Sequence, residues 1–84
     1  MTHSQKQIVE DFVRAQLAER LKIAPEAISA DSDLIELGLQ SIDAVLLCGI
    51  VEDHFQVELD PSTIFQHDTV GSFVDEIASR LDAQ

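Results

Sequence analysis

The sequence has few of the residues that cross-link or bend a small protein, and it lacks two of the aromatic residue types. It has no tryptophan or tyrosine, one cysteine, two prolines and three glycines. A single cysteine excludes an intramolecular disulfide, which is compatible with a reducing cytoplasm. No apolar run approaches the length of a membrane span, and "MTHSQKQIVE" lacks the apolar core of a signal peptide. We therefore expect a cytoplasmic protein without a membrane partner.

Basic residues are also scarce, since 5 Lys and Arg face 16 Asp and Glu and give a formal net charge of −11. That balance argues against nucleic acid or an anionic membrane surface as a partner. It favours protein partners with basic patches, and its self-repulsion favours a monomer. The 84 residues, 45% of them hydrophobic, predict a single domain spanning 1–84 with one modest core. The initiating methionine and the lack of a linker favour a free-standing protein.

Apolar periodicity predicts a long helix at each end of the chain. The first helix is predicted to begin at a capping box of Ser4 and Gln7 and to end near Leu21. Its apolar face consists of Val9, Val13, Leu17 and Leu21, widened by Ile8 and Phe12. The last helix is predicted to be capped by Asp68 or Thr69. Its apolar face consists of Val70, Phe73, Val74, Ile77, Ala78 and Leu81.

Two further helices are predicted between them, one from Ser41 to about Phe55 and a short one capped by Asp60 with Pro61 at its first position. Residues 22–40 read as a long loop with a helical turn after Pro25. Its apolar anchors are Ile28, Leu34 and Leu37. Long loops in compact domains tend to be functional. The predicted fold is an all-α four-helix bundle with three main helices, one short third helix and a long loop between helices 1 and 2.

The second helix has more apolar surface than one core can cover. At 100° per residue its core side consists of Leu47, Ile50, Val51 and Phe55, with Ala44 and Cys48 at the margin. The opposite side consists of Ile42, Val45, Leu46 and Gly49, bordered by Glu52 and Asp53. This second side is either covered by the long loop or exposed as a contact ridge. A helical glycine costs about 1 kcal/mol against alanine, so Gly49 indicates close approach by a partner or tight packing within the domain.

Ser41 stands at the start of that helix and has three possible roles. It can be a helix N-cap. It can be a nucleophile, but no histidine (His3, His54 or His67) is near it in sequence, and "GLQSID" lacks the second glycine of a nucleophile elbow. It can accept a group from another enzyme, because a helix N-terminus suits a phosphodiester and a flexible preceding loop would give that enzyme access.

Metal sites are not supported by the spacing of candidate ligands. Cys48 and His54 are six residues apart on one helix and so point in different directions. The stretch beginning at Asp31 and Asp33 starts like a calcium loop. It then places Ile35 where an oxygen ligand is needed and has no glutamate at its twelfth position. Cys48 is expected to be buried and inert.

The stretches "DLIELGLQSIDAVLL" and "VEDHFQVEL" resemble the acyl carrier protein family, and the likeness extends over nearly the whole chain. The resemblance implies that Ser41 receives 4′-phosphopantetheine from coenzyme A through a Mg²⁺-dependent phosphopantetheinyl transferase. The thiol of that arm would hold acyl groups as thioesters for acyl-loading, ketosynthase-type and other acyl-processing enzymes, while the protein itself catalyses nothing. A pocket between helices would hold the acyl chain. The implied partner surface is Gln40, Ile42, Asp43, Val45, Leu46, Gly49, Glu52 and Asp53.

Two departures from the family pattern affect that surface. Gln40 stands where aspartate is commonest, and Leu46 is apolar where acid is frequent, although Asp43 remains. Both changes favour apolar partner contacts and point to polyketide or specialised fatty-acyl biosynthesis. A peptidyl or aminoacyl carrier of nonribosomal peptide synthesis is the first alternative, although such carriers often have Gly-Gly before the serine. The second alternative is an unmodified, carrier-like interaction module in which Ser41 only caps the helix.

Overall fold

The computed structural model describes residues 5–83, apart from the side chains at positions 61, 63 and 65. It contains three α-helices: α1 (Gln5–Leu21), α2 (Ser41–Phe55) and α3 (Val70–Asp82). Two 3₁₀ segments, Pro25–Ala27 and Pro61–Gln66, lie in the connections. Among these residues there is no β-strand, only an isolated bridge between Asp33 and Thr69. No helix in this part of the chain is both long and apolar enough to cross a bilayer.

Helix α1 ends where the sequence predicted, because Lys22 turns into the left-handed region with φ of 62°. Three residues of its predicted apolar face, Val9, Val13 and Leu17, are fully buried. The predicted widening of that face is wrong at Ile8, whose exposed fraction is 49%. Phe12 is half-buried, and its ring stacks on that of His54, with the two centroids 4.0 Å apart. The proposed capping residue Ser4 lies outside the described residues.

The connection from α1 to α2 is held against the start of α3 by three backbone hydrogen bonds. Gly71 N–H donates to the Ala30 carbonyl at 2.8 Å, Val70 N–H to Ser32 at 3.0 Å and Leu34 N–H to Asp68 at 3.0 Å. The predicted anchors Ile28 and Leu34 are buried, Leu37 is half-buried, and Leu39 is a further buried anchor. The middle of the expected flexible loop, residues 30–34, is therefore tied to the start of α3.

The predicted short third helix is a 3₁₀ segment, so residues 5–83 contain three α-helices and the four-helix description is not confirmed. Its Asp60 cap is confirmed, since the carboxylate accepts hydrogen bonds from Ser62 N–H at 2.9 Å and Ser62 Oγ at 2.8 Å. These bonds hold the pKa of Asp60 below its usual value. A segment of only six residues favours 3₁₀ geometry, which is used in short pieces.

Helix α3 is capped by Thr69, whose Oγ1 accepts a hydrogen bond from Ser72 N–H at 3.2 Å. Its inner face is fully buried and consists of Val70, Phe73, Val74 and Ile77, whereas Ala78 and Leu81 are half-buried. Helices α1 and α3 pack against each other, and α2 contacts α1 and the segment Pro61–Gln66. The buried faces of all three helices join in one core.

Candidate functional site

Helix α2 begins one residue earlier than a Ser41 cap would require. Gln40 is the N-cap, with extended backbone (φ −104°, ψ 169°), and its carbonyl accepts the first helical bond from Ala44 N–H at 2.9 Å. The Asp43 carboxylate reaches back to Gln40 N–H at 3.2 Å. The interpretation of Ser41 as a cap is therefore wrong by one position, because Ser41 is the first residue inside the helix.

The approach to Ser41 is set by the residues just before it. Gly38 has φ of 98°, a left-handed conformation that favours glycine, and its N–H donates to the Ile35 carbonyl at 3.0 Å. Leu39 then enters the core, and Gln40 returns to the surface. A buried anchor before the serine and the buried Ala44 after it fix the start of α2 against the core.

The hydroxyl of Ser41 is exposed and makes no hydrogen bond within residues 5–83. The first backbone N–H groups of α2 also lack intrahelical partners, and the helix dipole favours negative charge at this end. An uncommitted hydroxyl beside such groups fits attachment through a phosphodiester, since the new charge would lie where the helix stabilises it.

The inner face of α2 is centred differently from the prediction. Ala44, Leu47, Cys48 and Val51 are buried, whereas Ile50 is only half-buried. The two residues assigned to the margin, Ala44 and Cys48, therefore lie at the centre, where small side chains let the helix pack closely. Burial, with smaller contributions from Glu52 and Asp60, raises the pKa of Cys48 to about 11.

The outer face of α2 is open to solvent. Ile42, Val45 and Leu46, which we call the apolar ridge, have exposed fractions of 62%, 47% and 43%. One of the two alternatives, in which the connection from α1 covers this face, is therefore wrong. A Cβ added to Gly49 would meet nothing within 4 Å, so tight packing within the domain is not the reason for this glycine.

The acidic residues bordering the ridge have different roles. Asp53 is exposed, whereas the carboxylate of Glu52 accepts a hydrogen bond from Leu59 N–H at 2.8 Å and so ties α2 to the chain that follows it. The Asp43 Oδ1 atom lies 3.8 Å from Nη1 of Arg20, at the end of α1. Sequence patterns gave no signal for this pair, because the two residues are on different helices. They also missed Ile35, which is 64% exposed in the connection before Ser41.

The candidate catalytic partners of Ser41 are engaged elsewhere. His54 stacks on Phe12 and lies about 20 Å along the α2 axis from Ser41 at 1.5 Å per residue. His67 Nδ1 shares a hydrogen bond with Ser72 Oγ, and its Nε2 lies 3.6 Å from Glu76 Oε1. His3 lies outside the described residues. Ser41 therefore has no histidine base among residues 5–83.

Candidate metal ligands among residues 5–83 do not lie close together either. Within the described part of the chain, no group of three or more His, Cys, Asp and Glu side chains is placed to hold an ion. Asp33, which began the calcium-like stretch, accepts hydrogen bonds from Ile35 N–H at 2.8 Å and Glu36 N–H at 3.0 Å. Its carboxylate thus orders the turn that leads to Gly38.

Comparison with known proteins agrees with these features. Residues 11–77 match the family model described as "Phosphopantetheine attachment site". The acyl carrier protein of Campylobacter jejuni subsp. doylei is 34% identical over 71 residues, which cover 80% of this chain and 92% of that protein. Polyketide synthase ThaG of Burkholderia thailandensis is 32% identical over 73 residues, covering 87% of this chain. The chain spans only 1% of that synthase.

A solved structure extends the likeness to the fold. A free-standing peptidyl carrier protein from an uncharacterised secondary metabolic pathway of Acinetobacter baumannii superposes with a TM-score of 0.83 at 26% identity, covering 94% of this chain and 96% of that one. Carrier proteins of this kind are not catalysts themselves, and their cofactor is covalent 4′-phosphopantetheine. The family match over most of the chain and the near full-length likeness to a bacterial carrier lead to one conclusion: this chain belongs to the acyl carrier protein family of phosphopantetheine-bearing carrier proteins.

Proposed function

We propose that Ser41 is the attachment residue for 4′-phosphopantetheine. One observation carries this assignment: Ser41 is the only serine within the matched residues 11–77 whose hydroxyl makes no hydrogen bond. The other serine hydroxyls of that range have partners: Ser29 with Ser32, Ser62 with Asp60, and Ser72 with His67. Among the serines of residues 11–77, a modifying enzyme therefore finds a free, exposed acceptor at Ser41 and hydrogen-bonded hydroxyls at the other positions.

The position of Ser41 also favours the anionic linkage. Its side chain projects from the first turn of α2, where unpaired N–H groups and the helix dipole stabilise negative charge. When attached, the arm supplies a thiol that carries acyl groups as thioesters. The chain's own contribution is to hold the attachment point rigidly, through Leu39 and Ala44 in the core, while keeping it outside the helix packing.

The proposed role is delivery of acyl intermediates in polyketide or specialised fatty-acyl biosynthesis. Supporting this role are the similarity to a segment of a polyketide synthase and the apolar ridge beside Ser41. The partners would be a Mg²⁺-dependent phosphopantetheinyl transferase and acyl-loading, ketosynthase-type and other acyl-processing enzymes. They would dock on the surface predicted from the sequence: Gln40, Ile42, Asp43, Val45, Leu46, Gly49, Glu52 and Asp53. A single cytoplasmic, monomeric carrier domain over 1–84 is part of the same proposal.

A peptidyl or aminoacyl carrier is the second candidate, favoured by the structural similarity to the peptidyl carrier from Acinetobacter baumannii. The interaction-module hypothesis is weakened, because it gave Ser41 the role of helix cap and Gln40 occupies that position. Loading enzymes distinguish the first two candidates. An acyl or malonyl transferase would load the holo form of the first, and an amino-acid-adenylating enzyme that of the second.

The test of the attachment site is intact-mass measurement after incubation with coenzyme A, Mg²⁺ and a broad-specificity phosphopantetheinyl transferase. We expect the wild type to gain the mass of one phosphopantetheine and Ser41→Ala to gain none. Ser62→Ala, which changes another exposed serine, is the matched control and should be modified like the wild type. A gain of mass in Ser41→Ala would show that Ser41 is not the attachment residue. No gain in any variant, with an established carrier modified in parallel, would refute the carrier function.

A further inference from the structure

The Asp43 carboxylate has both oxygens engaged inside the protein. Oδ2 accepts a hydrogen bond from Gln40 N–H at 3.2 Å, and Oδ1 lies 3.8 Å from Nη1 of Arg20. Only 20% of the Asp43 side chain is exposed, and 30% of Arg20. A basic side chain from a partner would compete with Arg20 for this carboxylate.

Asp43 is also the only acidic residue between Glu36 and Glu52. Around Ser41, the open surface of α2 therefore consists of the apolar ridge and the uncharged Gln40. The freely exposed acids of this helix lie at its other end, at Asp53 and beyond it at Glu58. The protein as a whole is strongly acidic, but the first two turns of α2 expose the apolar ridge, and their one carboxylate, that of Asp43, is paired with Arg20.

We propose that Arg20 is a specificity-determining residue of the docking surface. By pairing with Asp43 it makes the one carboxylate in the first turns of α2 less available, so productive partners engage this end of α2 through an apolar recess rather than through clustered basic side chains. This inference rests on the proposed function for its biological meaning. It adds Arg20 of α1 to the proposed docking surface and changes the role of Asp43 from direct partner contact to pairing with Arg20.

A cationic peptide tests whether Arg20 keeps Asp43 from binding basic side chains of a partner. Octalysine would be titrated into ¹⁵N-labelled protein while the amides of Gln40, Ser41 and Asp43 are followed by NMR. In the wild type we expect the shifts to concentrate near Asp53 and Glu58. Arg20→Met keeps an unbranched apolar stem but releases Asp43, and should strengthen octalysine binding at the Gln40–Asp43 amides about three- to tenfold at low salt.

The matched control is Arg14→Met, since Arg14 is 31% exposed and pairs with Glu10 on α1 itself. It removes the same charge from the same helix and should leave the amides around Ser41 unaffected by octalysine. Adding Asp43→Asn to Arg20→Met should abolish the gain. Equal binding in wild type and Arg20→Met, or a gain that survives Asp43→Asn, would overturn the proposal.

A functional measurement separates this inference from the carrier assignment. With the phosphopantetheinyl transferase, Arg20→Met should change KM and its dependence on salt concentration, whereas kcat should stay near the wild-type value. Unchanged KM at every salt concentration, with normal modification of the wild type, would overturn the role of Arg20 and leave Ser41 as the attachment site. Failure to modify the wild type would refute the carrier function, while the octalysine result would still decide whether Asp43 is withheld.

Discussion

The two faces of α2 are similarly apolar, but one is buried in the core and the other is exposed to solvent. Leu47 is 1% exposed, and its neighbour Leu46 is 43% exposed. Composition does not separate them, because both are leucines in the same helix. What separates them is position around the helix axis: α1 and Pro61–Gln66 pack against α2, and nothing covers the ridge within residues 5–83. One face thus stabilises the fold, and the other is available for recognition.

The most direct test of this difference between the two faces is to truncate the two adjacent leucines separately. Leu47→Ala should lower the free energy of unfolding by about 2–5 kcal/mol, the cost of a cavity in a packed core. Leu46→Ala should change it by less than about 0.5 kcal/mol. Urea denaturation followed by circular dichroism measures both. Modification of Ser41 should slow for Leu46→Ala, because a partner loses an apolar contact.

The assignment of the faces would be wrong if Leu46→Ala destabilised the protein as much as Leu47→Ala. The docking hypothesis would fail separately if Leu46→Ala were as stable as the wild type and were modified at the wild-type rate. Only variants that remain folded are compared for modification, and Leu47→Ile provides a milder core substitution if Leu47→Ala does not fold.

A second prediction uses the thiol on the inner face. The pKa of Cys48 is raised from 9.0 to about 11, so at pH 8 its thiolate fraction should be about 100-fold below that of an ordinary thiol. Reaction should accelerate as pH rises toward that pKa, because only the thiolate attacks. We expect N-ethylmaleimide, followed by mass, to leave the native apo protein almost unlabelled and to label urea-unfolded protein quickly.

The same reagent distinguishes the two ends of the comparison in the modified protein. The phosphopantetheine thiol is attached outside the core and should react at the rate of a free thiol, giving one fast label per modified chain. Rapid labelling of native apo protein would contradict the burial of Cys48. Two fast labels after modification would show that attachment opens the inner face.

Much of the fold follows from local signals. The bounds of α2 and the caps at Asp60 and Thr69 are set by hydrogen-bonding side chains and apolar periodicity, which are properties of short segments. These local signals did not predict that Ala44 and Cys48 lie at the centre of the buried face of α2. A helical wheel weights large side chains, whereas packing selects the small ones that allow close approach.

The candidate site divides in the same way. Ser41 and the ridge could be located from sequence, since both depend on residues adjacent along one helix. The Arg20–Asp43 pair could not, because its geometry depends on how α1 meets α2. The hydrogen bonds that tie Ala30, Ser32 and Leu34 to the start of α3 were missed for the same reason, as no local pattern specifies which backbone groups meet.

The last and smallest expected effect comes from two glycines that differ only in surroundings. A Cβ at Gly71 would lie 3.0 Å from the Ala30 carbonyl oxygen, whereas one at Gly49 would meet nothing within 4 Å. Gly71→Ala should therefore destabilise the protein, by about 1–3 kcal/mol for overpacking. Gly49→Ala should stabilise it by about 1 kcal/mol through helix propensity. Urea denaturation measures both.

Gly49→Ala also tests why a helix keeps a glycine that costs stability. If a partner approaches the α2 backbone there, the stabilised variant should be modified more slowly at Ser41 than the wild type, with the deficit in KM. Gly71→Ala, which changes α3 where it contacts Ala30, should keep the wild-type KM under conditions where it is folded. A stabilised Gly49→Ala with an unchanged KM would confine the docking surface to the Ser41 end of α2 and remove Gly49 from it.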